Sequence, residues 1–249
     1  MDHTVTEYRK STVCGKDGCA TDETRFPVDH SVPVNTHLTI EVISDAICPW
    51  CWVAKRRLDH VLAALAPALS ATVTWRPFEL NPDIPKAGLD RRAYRSRKFG
   101  SWERSQALDA QVASAAKPDG LDFRHDRMER TPNTMDAHRL IWMAGQEGKQ
   151  DAVVEGLFSA YFHEGRDVGT SDVLVAIGST AGLDPKRISA MLASDEGLKE
   201  VTAALDRSIG LGVSGVPTVL VNGRPLFSGA LRSELIEAHL REAADHAGN

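Results

Sequence analysis

The sequence predicts an α/β fold in which two strand-containing units are separated by a long helical segment. Residues 38–44 and 71–78 are rich in strand-forming side chains and flank a helical pattern. Strand-forming residues return only at 217–221 and 226–228, and a closing helix follows them. Between about 80 and 210 the spacing of apolar residues is helical. The expected order is therefore β-α-β, a helical block, then β-β-α.

The three elements of the first unit are predicted from its apolar pattern and from the proline that ends its helix. Residues 38–44 form a nearly continuous apolar run, which is typical of a buried strand. A helix is expected from about 49 to 66, where Pro67 stops it. Residues 71–78 alternate in polarity and contain several β-formers, so they form the second strand.

The helical block is expected to contain five or six helices and no strong strand. Asp90, Ser171 and Asp184 are candidate N-caps, because short polar side chains accept hydrogen bonds from the first free amides of a helix. After the block, Asn222-Gly223 is a hairpin-turn dipeptide between the last two strands. A closing helix is expected from Glu234 to Ala244.

Composition narrows the classes of function. The 249 residues are 42% hydrophobic, which is ample for a buried core. The net charge is −5 and no basic tract is present, so a nucleic-acid partner is not expected. No apolar stretch approaches the ~20 residues of a membrane span, and the polar N-terminus has no apolar signal region. A cytoplasmic protein without a membrane partner is the resulting expectation.

Cys48-Pro49-Trp50-Cys51 is the most informative motif. It follows the first predicted strand and opens the first helix. Two thiols at this spacing can act in turn, one attacking a substrate disulfide and the other resolving the mixed disulfide, and a helix N-terminus favours the reactive thiolate. We expect Cys48 to be the partly exposed nucleophile and Cys51 the buried resolving residue.

Trp50 refines this interpretation. An indole has no ionisable cation to stabilise a thiolate, so a moderately acidic thiol and a moderate oxidant are expected. The alternatives are half of a zinc site or two inert buried cysteines. The strand, Cys-x-x-Cys and helix succession favours the redox interpretation over both.

Pro217 is the second candidate site residue. It follows Val216 in the run Gly215-Val216-Pro217-Thr218, which leads into a strand. A proline in such a turn suits a cis peptide bond, although a trans proline at the start of an edge strand is the alternative. Together with the dithiol, this run favours the cis interpretation.

Cys14 and Cys19 form a second pair, in a Cys-x4-Cys loop of a polar N-terminal arm. One interpretation is a second redox pair that relays electrons to Cys48 and Cys51 or controls access to them. A structural clip, or two idle thiols, is an equally supported alternative. Zinc shared by all four cysteines is the least favoured, since the two pairs are separated by a strand and a proline-containing arm. Neither a metal nor a cofactor is expected.

Two further residues each have two alternative roles. Asp45 precedes Cys48 by three residues and could exchange protons with Cys51, but a solvated or helix-capping carboxylate is slightly favoured. His138 lies in a predicted helix near Leu140 and Met143, where a packed structural histidine is more common than a ligand.

The chain resembles the DsbA family of thioredoxin-fold oxidoreductases, specifically its FrnE-like branch. Three segments carry the resemblance: Ser44-Asp45-Ala46-Ile47-Cys48-Pro49-Trp50-Cys51, Pro132-Asn133-Thr134-Met135-Asp136-Ala137-His138-Arg139, and Gly215-Val216-Pro217-Thr218 with Ser228-Gly229-Ala230. It implies an α/β, thioredoxin-like fold with a large all-helical insertion. The implied domains are a thioredoxin-like domain at 37–79 and 211–249, an insertion at 80–210 and an N-terminal arm at 1–36.

The resemblance also implies a function. It is thiol–disulfide exchange on protein substrates, with Cys48, Cys51 and a cis Pro217 as catalytic residues and Pro49, Trp50 and Val216 next to the substrate. The partners are then protein thiols or disulfides and an unidentified electron donor, and the protein is a monomer or a dimer. Related branches are glutathione-dependent small-molecule enzymes, the 2-hydroxychromene-2-carboxylate isomerases and kappa glutathione transferases. They use one serine where this chain has Cys48, so the cysteine pair weighs against that chemistry.

Overall fold

The computed structural model describes residues 12–15, 18–21 and 36–247, with only the backbone described in the first two ranges. The strands are β1 (Thr12–Gly15), β2 (Gly18–Thr21), β3 (Thr36–Ser44), β4 (Leu69–Pro77), β5 (Leu89–Asp90), β6 (Arg130–Thr131), β7 (Thr218–Val221) and β8 (Arg224–Ser228). The helices are α1 (Pro49–Leu65), α2 (Arg91–Phe99), α3 (Trp102–Ala116), α4 (Met135–Gln146), α5 (Gln150–Phe158), α6 (Ser171–Thr180), α7 (Pro185–Leu192), α8 (Leu198–Gly210) and α9 (Ser233–Ala247). A π-helical turn, Ser159–His163, continues α5.

A four-stranded mixed sheet in the order β4-β3-β7-β8 forms the centre of the strand-containing part. β3 pairs in parallel with β4 and antiparallel with β7, and β7 pairs antiparallel with β8. The nearly continuous apolar run of β3 is explained by its place between two strands, where Leu38, Ile40 and Val42 are buried. The predicted β-α-β and β-β-α units are confirmed, with ends shifted by a few residues.

α1 connects the parallel strands β3 and β4 and begins at the dithiol motif. Pro49 occupies its first helical position, where the missing amide hydrogen costs nothing. α1 packs against β4, and α9 packs against both α1 and β3. The crossover therefore presents the start of α1 at the carboxyl end of β3.

Arg57 fixes α1 to two other parts of the chain. Its guanidinium group donates to the Asp119 carboxylate at 2.9 Å, to the Ala115 carbonyl at 3.1 Å and to the Ala230 carbonyl at 2.9 Å. Ala115 and Asp119 belong to the helical segment, and Ala230 precedes α9. A single planar group thus connects the dithiol helix to the insertion and to the C-terminal unit.

An aromatic cluster packs α1 against the helical segment. Trp52 meets Phe123 edge-on with ring centroids 5.1 Å apart, and it stacks on Phe162 at 6.0 Å. Trp52 immediately follows Cys51, so this contact holds the first turn of α1 against the insertion.

The segment between β4 and β7 contains seven α-helices, so the prediction of five or six is wrong. Glycines in the left-handed region end some of these helices abruptly, as Gly100 (φ 92°) does between α2 and α3. The expectation of an all-helical block is also corrected, because β5 and β6 pair there. Each strand has two residues, too few for a periodic pattern to reveal them.

The candidate caps of the helical segment have mixed outcomes. The Asp90 and Asp184 side chains accept hydrogen bonds from Ala93 N and Lys186 N, which confirms both as N-caps. Ser171 is instead the first residue of α6, with Thr170 as its N-cap. The helices occupy the range predicted for the insertion, whereas the exact domain boundaries stay a prediction.

The N-terminal arm contains a short hairpin at the predicted Cys-x4-Cys loop. β1 and β2 pair antiparallel, and their register places Cys14 opposite Cys19. The rest of the predicted arm at 1–36, apart from Thr36, lies outside the described residues. Within the described ranges, no helix is both long enough and apolar enough to cross a bilayer.

Candidate active site

Cys48 lies at the N-cap of α1, directly after the turn that leaves β3. Its amide donates to the Asp45 carbonyl at 3.0 Å, and its carbonyl accepts from the Cys51 amide at 3.0 Å. Among the residues that the structure describes, no side chain caps the helix start. The first amides of α1 therefore lie beside Cys48.

Both thiols are free and both are buried. Cys51 is fully buried, as predicted, but Cys48 is only 4% exposed, so the expectation of a partly exposed nucleophile is wrong. Cys48 lies in the apolar core cluster with Ala46 and Ile47, and the half-buried Trp50 and Val216 pack against that cluster. The Cys48 side chain is therefore covered mainly by apolar neighbours.

Val216 and Pro217 face the dithiol although Cys48 and Val216 are 168 residues apart in the sequence. The Cys48 thiol donates to the Val216 carbonyl, with Sγ 3.5 Å from the oxygen. The peptide bond between Val216 and Pro217 is cis, the geometry that the sequence favoured. The Gly229 amide donates to the Pro217 carbonyl at 2.8 Å, which holds this segment at the start of β7.

The environment of Cys51 favours its protonated form. Burial raises the pKa of Cys51, and so do a hydrogen bond with Cys48 and the charge of Asp45.

Asp45 is fully buried next to Cys51, so the interpretation as a solvated carboxylate is wrong. Its oxygens accept from Leu80 N at 2.7 Å and from Ile47 N at 3.3 Å, and Thr134 gives a further side-chain hydrogen bond. The pKa of Asp45 is raised to about 7, because burial and the nearby Glu79 charge together outweigh the hydrogen bonds, which oppose the shift. Asp45 can thus take or release a proton near neutral pH.

His138 is buried in α4, as its packed interpretation predicted. Its Nε2 lies 3.0 Å from the Phe78 carbonyl oxygen and 3.8 Å from Asp45 Oδ1. Burial lowers the pKa of His138 to about 4, so the ring is neutral at physiological pH.

The structure brings most predicted site residues together. Cys48, Cys51, Val216 and Pro217 converge, and Pro49 and Trp50 are half-buried beside them. Glu79 and Thr134 were missed: Thr134 belongs to the motif at 132–139, while nothing local distinguishes Glu79. The side chains of Cys14 and Cys19 lie outside the described part of the chain, so their redox role stays a prediction. Among the described residues, no group of three or more His, Cys, Asp and Glu side chains is arranged to hold a metal.

Comparison with known proteins gives related sequences and related folds. The chain is 25% identical over 205 residues to the uncharacterized protein YwbO of Bacillus subtilis strain 168, which covers 80% of this chain and 93% of that protein. It is 30% identical to a probable DsbA oxidoreductase from Streptomyces coelicolor, whose crystal structure superposes with a TM-score of 0.74 over 85% of this chain and 90% of that chain.

A third similar structure is a 2-hydroxychromene-2-carboxylate isomerase. It is 17% identical, with a TM-score of 0.63 over 84% of this chain and 98% of that chain, and at this identity the likeness shows the fold alone. The predicted fold class, an α/β thioredoxin-like fold with a large helical insertion, is confirmed. A model of the DSBA-like thioredoxin domain matches residues 39–241, most of the chain, and on this match the chain belongs to the DSBA-like thioredoxin-domain family.

Proposed function

We propose that the protein is a thiol–disulfide oxidoreductase or isomerase that acts on protein cysteines through Cys48 and Cys51. The observation that supports this most strongly is the position of the two cysteines at the start of α1. Cys48 occupies the start of α1 facing the Val216 carbonyl, and Cys51 is fully buried one turn further on. This difference in position suits one attacking and one resolving thiol.

In the reducing direction, the Cys48 thiolate attacks one sulfur of a substrate disulfide. A Cys48–substrate disulfide forms, and the other substrate sulfur leaves as a thiolate that takes a proton from solvent. Cys51 then loses its proton and attacks Cys48 Sγ, which forms the Cys48–Cys51 disulfide and releases the second substrate thiolate. The substrate gains two electrons and the protein dithiol loses two, so an external thiol must reduce the protein again.

Asp45 is the proton acceptor that this second step requires. Its carboxyl group is buried beside Cys51, and its pKa of about 7 leaves a large fraction ionised at neutral pH. A carboxylate in this state can take the Cys51 proton as the thiol attacks and return it in the opposite direction.

Oxidation of substrates uses the same groups in reverse, and isomerisation uses the reduced dithiol with a longer-lived mixed disulfide. A substrate peptide is expected to lie along Val216 like an added strand. Pro49 and Trp50 then form the neighbouring wall. The dominant direction depends on the reduction potential of the pair relative to its compartment, and the expected moderate oxidant, the cytoplasmic location and the FrnE-like branch stay predictions.

The competing function is a glutathione-dependent isomerisation or transfer on small molecules. The fold likeness to 2-hydroxychromene-2-carboxylate isomerase makes this the natural comparison. Two buried, free cysteines in the Cys48-Pro49-Trp50-Cys51 motif favour dithiol chemistry instead, since a single-residue mechanism has no use for Cys51.

Two assays on the same preparation separate these functions. The reduced protein is expected to reduce insulin disulfides with dithiothreitol as electron donor, and to show no isomerisation of 2-hydroxychromene-2-carboxylate with glutathione. Cys51→Ala should lose the first activity, because the mixed disulfide is no longer resolved within the protein. Hydroxychromene isomerisation that persists in Cys51→Ala, together with no insulin reduction by the wild type, would reject the proposal.

We further propose that Cys14 and Cys19 modulate the main dithiol. The antiparallel register that places them opposite each other supports pairing between them. The double variant Cys14→Ser/Cys19→Ser is then expected to change the turnover or reduction potential of Cys48 and Cys51. Unchanged values for both quantities would reduce the second pair to a structural clip.

A further inference from the structure

We propose that His138 is a positioning residue for the dithiol, which holds a polarised N–H beside the Asp45 carboxyl group and thereby sets how readily that group accepts the Cys51 proton. The proposal deepens the proposed function and rests on it. His138 belongs to α4, in the helical insertion, so the insertion would contribute to the chemistry as well as to shape.

The hydrogen bond to Phe78 defines the state of the ring. A carbonyl oxygen only accepts, so the 3.0 Å contact requires a proton on His138 Nε2. The same nitrogen is 3.8 Å from Asp45 Oδ1, which is too long for a hydrogen bond but close for an electrostatic contact. The N–H group therefore lies near the carboxyl group.

Burial strengthens this contact. His138 is 2% exposed and Asp45 is not exposed at all, so little water screens one from the other. A neutral ring that keeps its N–H on the Phe78 carbonyl cannot turn away without leaving that carbonyl unpaired. The arrangement is therefore a fixed dipole, and it favours the ionised form of Asp45 over the protonated form.

Other titratable groups also face Asp45 and interact with its charge. Cys51 faces it from α1, and Glu79 faces it from the segment after β4. Tyr161 of the π-helical turn is near enough that the Asp45 charge adds to the rise that burial causes in the pKa of Tyr161. Among the groups named, His138 is the one whose ring N–H is fixed by a hydrogen bond to a carbonyl oxygen, with its nitrogen 3.8 Å from Asp45 Oδ1.

The test compares two replacements of His138. Leucine keeps the ring's approximate bulk but has no donor, whereas glutamine can place an N–H near the position of Nε2. His138→Met is a second donor-free variant if the leucine protein does not fold. Cys14→Ser/Cys19→Ser serves as the background, so that only one dithiol reacts.

His125→Leu is the matched control. His125 Nε2 is also 3.8 Å from an aspartate oxygen, that of Asp109, and its side chain is likewise mostly buried. Asp109 is not among the groups that influence the pKa of Cys51. Removal of this second histidine should therefore leave the dithiol unaffected.

The primary measurement is the titration of the Asp45 carboxyl carbon by ¹³C NMR in the reduced protein. His138→Leu or His138→Met is expected to raise its midpoint by about one pH unit, and His138→Gln and His125→Leu should stay near the wild-type midpoint. The rate of Cys51 attack on a Cys48 mixed disulfide should fall about fivefold at pH 7 in the donor-free variants, which is the loss of carboxylate that such a shift causes. At pH 9 the rate in the donor-free variants should match that of the wild type.

An unchanged midpoint in the donor-free variants would overturn the proposal. A glutamine variant that shifts as far as the leucine variant would also overturn it, because packing alone would then explain the effect. The NMR titration needs no turnover, so it tests His138 even if the wild type reduces no disulfide. In that case the proposed function fails while the His138 measurement still gives its own result.

Discussion

Cys48→Ser is expected to reduce insulin-disulfide turnover by about three orders of magnitude or more, to the background rate. A serine hydroxyl is not ionised at neutral pH and does not attack a disulfide sulfur. Cys51 cannot substitute for it, because Cys51 is fully buried and its pKa is raised by that burial. The loss should appear with insulin and with a small disulfide alike.

Cys51→Ser is expected to fail in a different way. The first attack still occurs at Cys48, but nothing resolves it, so a protein–substrate mixed disulfide should accumulate on a non-reducing gel and in intact mass. Cys14→Ser/Cys19→Ser is the control for general effects of cysteine removal and should accumulate no such species. Wild-type turnover in Cys48→Ser, or mixed disulfides attached to Cys51, would contradict the assigned roles.

The difference between the two cysteines could be predicted from the sequence in part only. Cys51 was expected to be the more buried cysteine because it lies one turn into the helix, and it is fully buried. The cover over Cys48 depends on Val216, which the chain brings back from 168 residues away. Such a contact leaves no local pattern, and for this reason Cys48 was wrongly expected to be partly exposed.

In the fold, too, the elements with a local sequence pattern were predictable, whereas contacts between distant segments were not. β3, α1 and the β7–β8 hairpin were predictable because each has its own periodicity and turn residues. The two-residue strands β5 and β6 were not, since their pairing depends on where two loops of the insertion meet. Glu79 was missed for a related reason: its proximity to Asp45 follows from the parallel pairing of β3 with β4, which brings their carboxyl ends together.

Asp45→Asn is expected to make the reduced protein more stable, relative to the wild type, at pH 8 than at pH 5. It is also expected to slow the attack of Cys51. The carboxyl pKa is about 7 in the folded chain against a reference of 3.8, so the folded state binds this proton more tightly than the unfolded state. The resulting stability is fully present below about pH 4 and is lost as the pH rises through about 7. Between pH 5 and pH 8 the loss amounts to about 2–3 kcal/mol.

Asparagine cannot ionise, so the variant escapes this loss. Its free energy of unfolding, minus that of the wild type, should rise by about 2–3 kcal/mol from pH 5 to pH 8, whatever constant cost the amide adds. Urea unfolding of the reduced proteins at both pH values measures this difference. His138, with its pKa lowered to about 4, contributes the opposite trend between pH 4 and 6.5, but it is present in both proteins and largely cancels.

Asp172→Asn provides the matched control. Its side-chain hydrogen bond with Thr170 holds the pKa of Asp172 below the reference value of 3.8, so Asp172 is ionised in both folded and unfolded chains from pH 5 to pH 8. Its removal should therefore shift stability equally at the two pH values. A flat difference for Asp45→Asn as well would mean that the buried carboxyl group is already ionised at pH 5, and Asp45 would then be unable to exchange a proton with Cys51 near neutral pH.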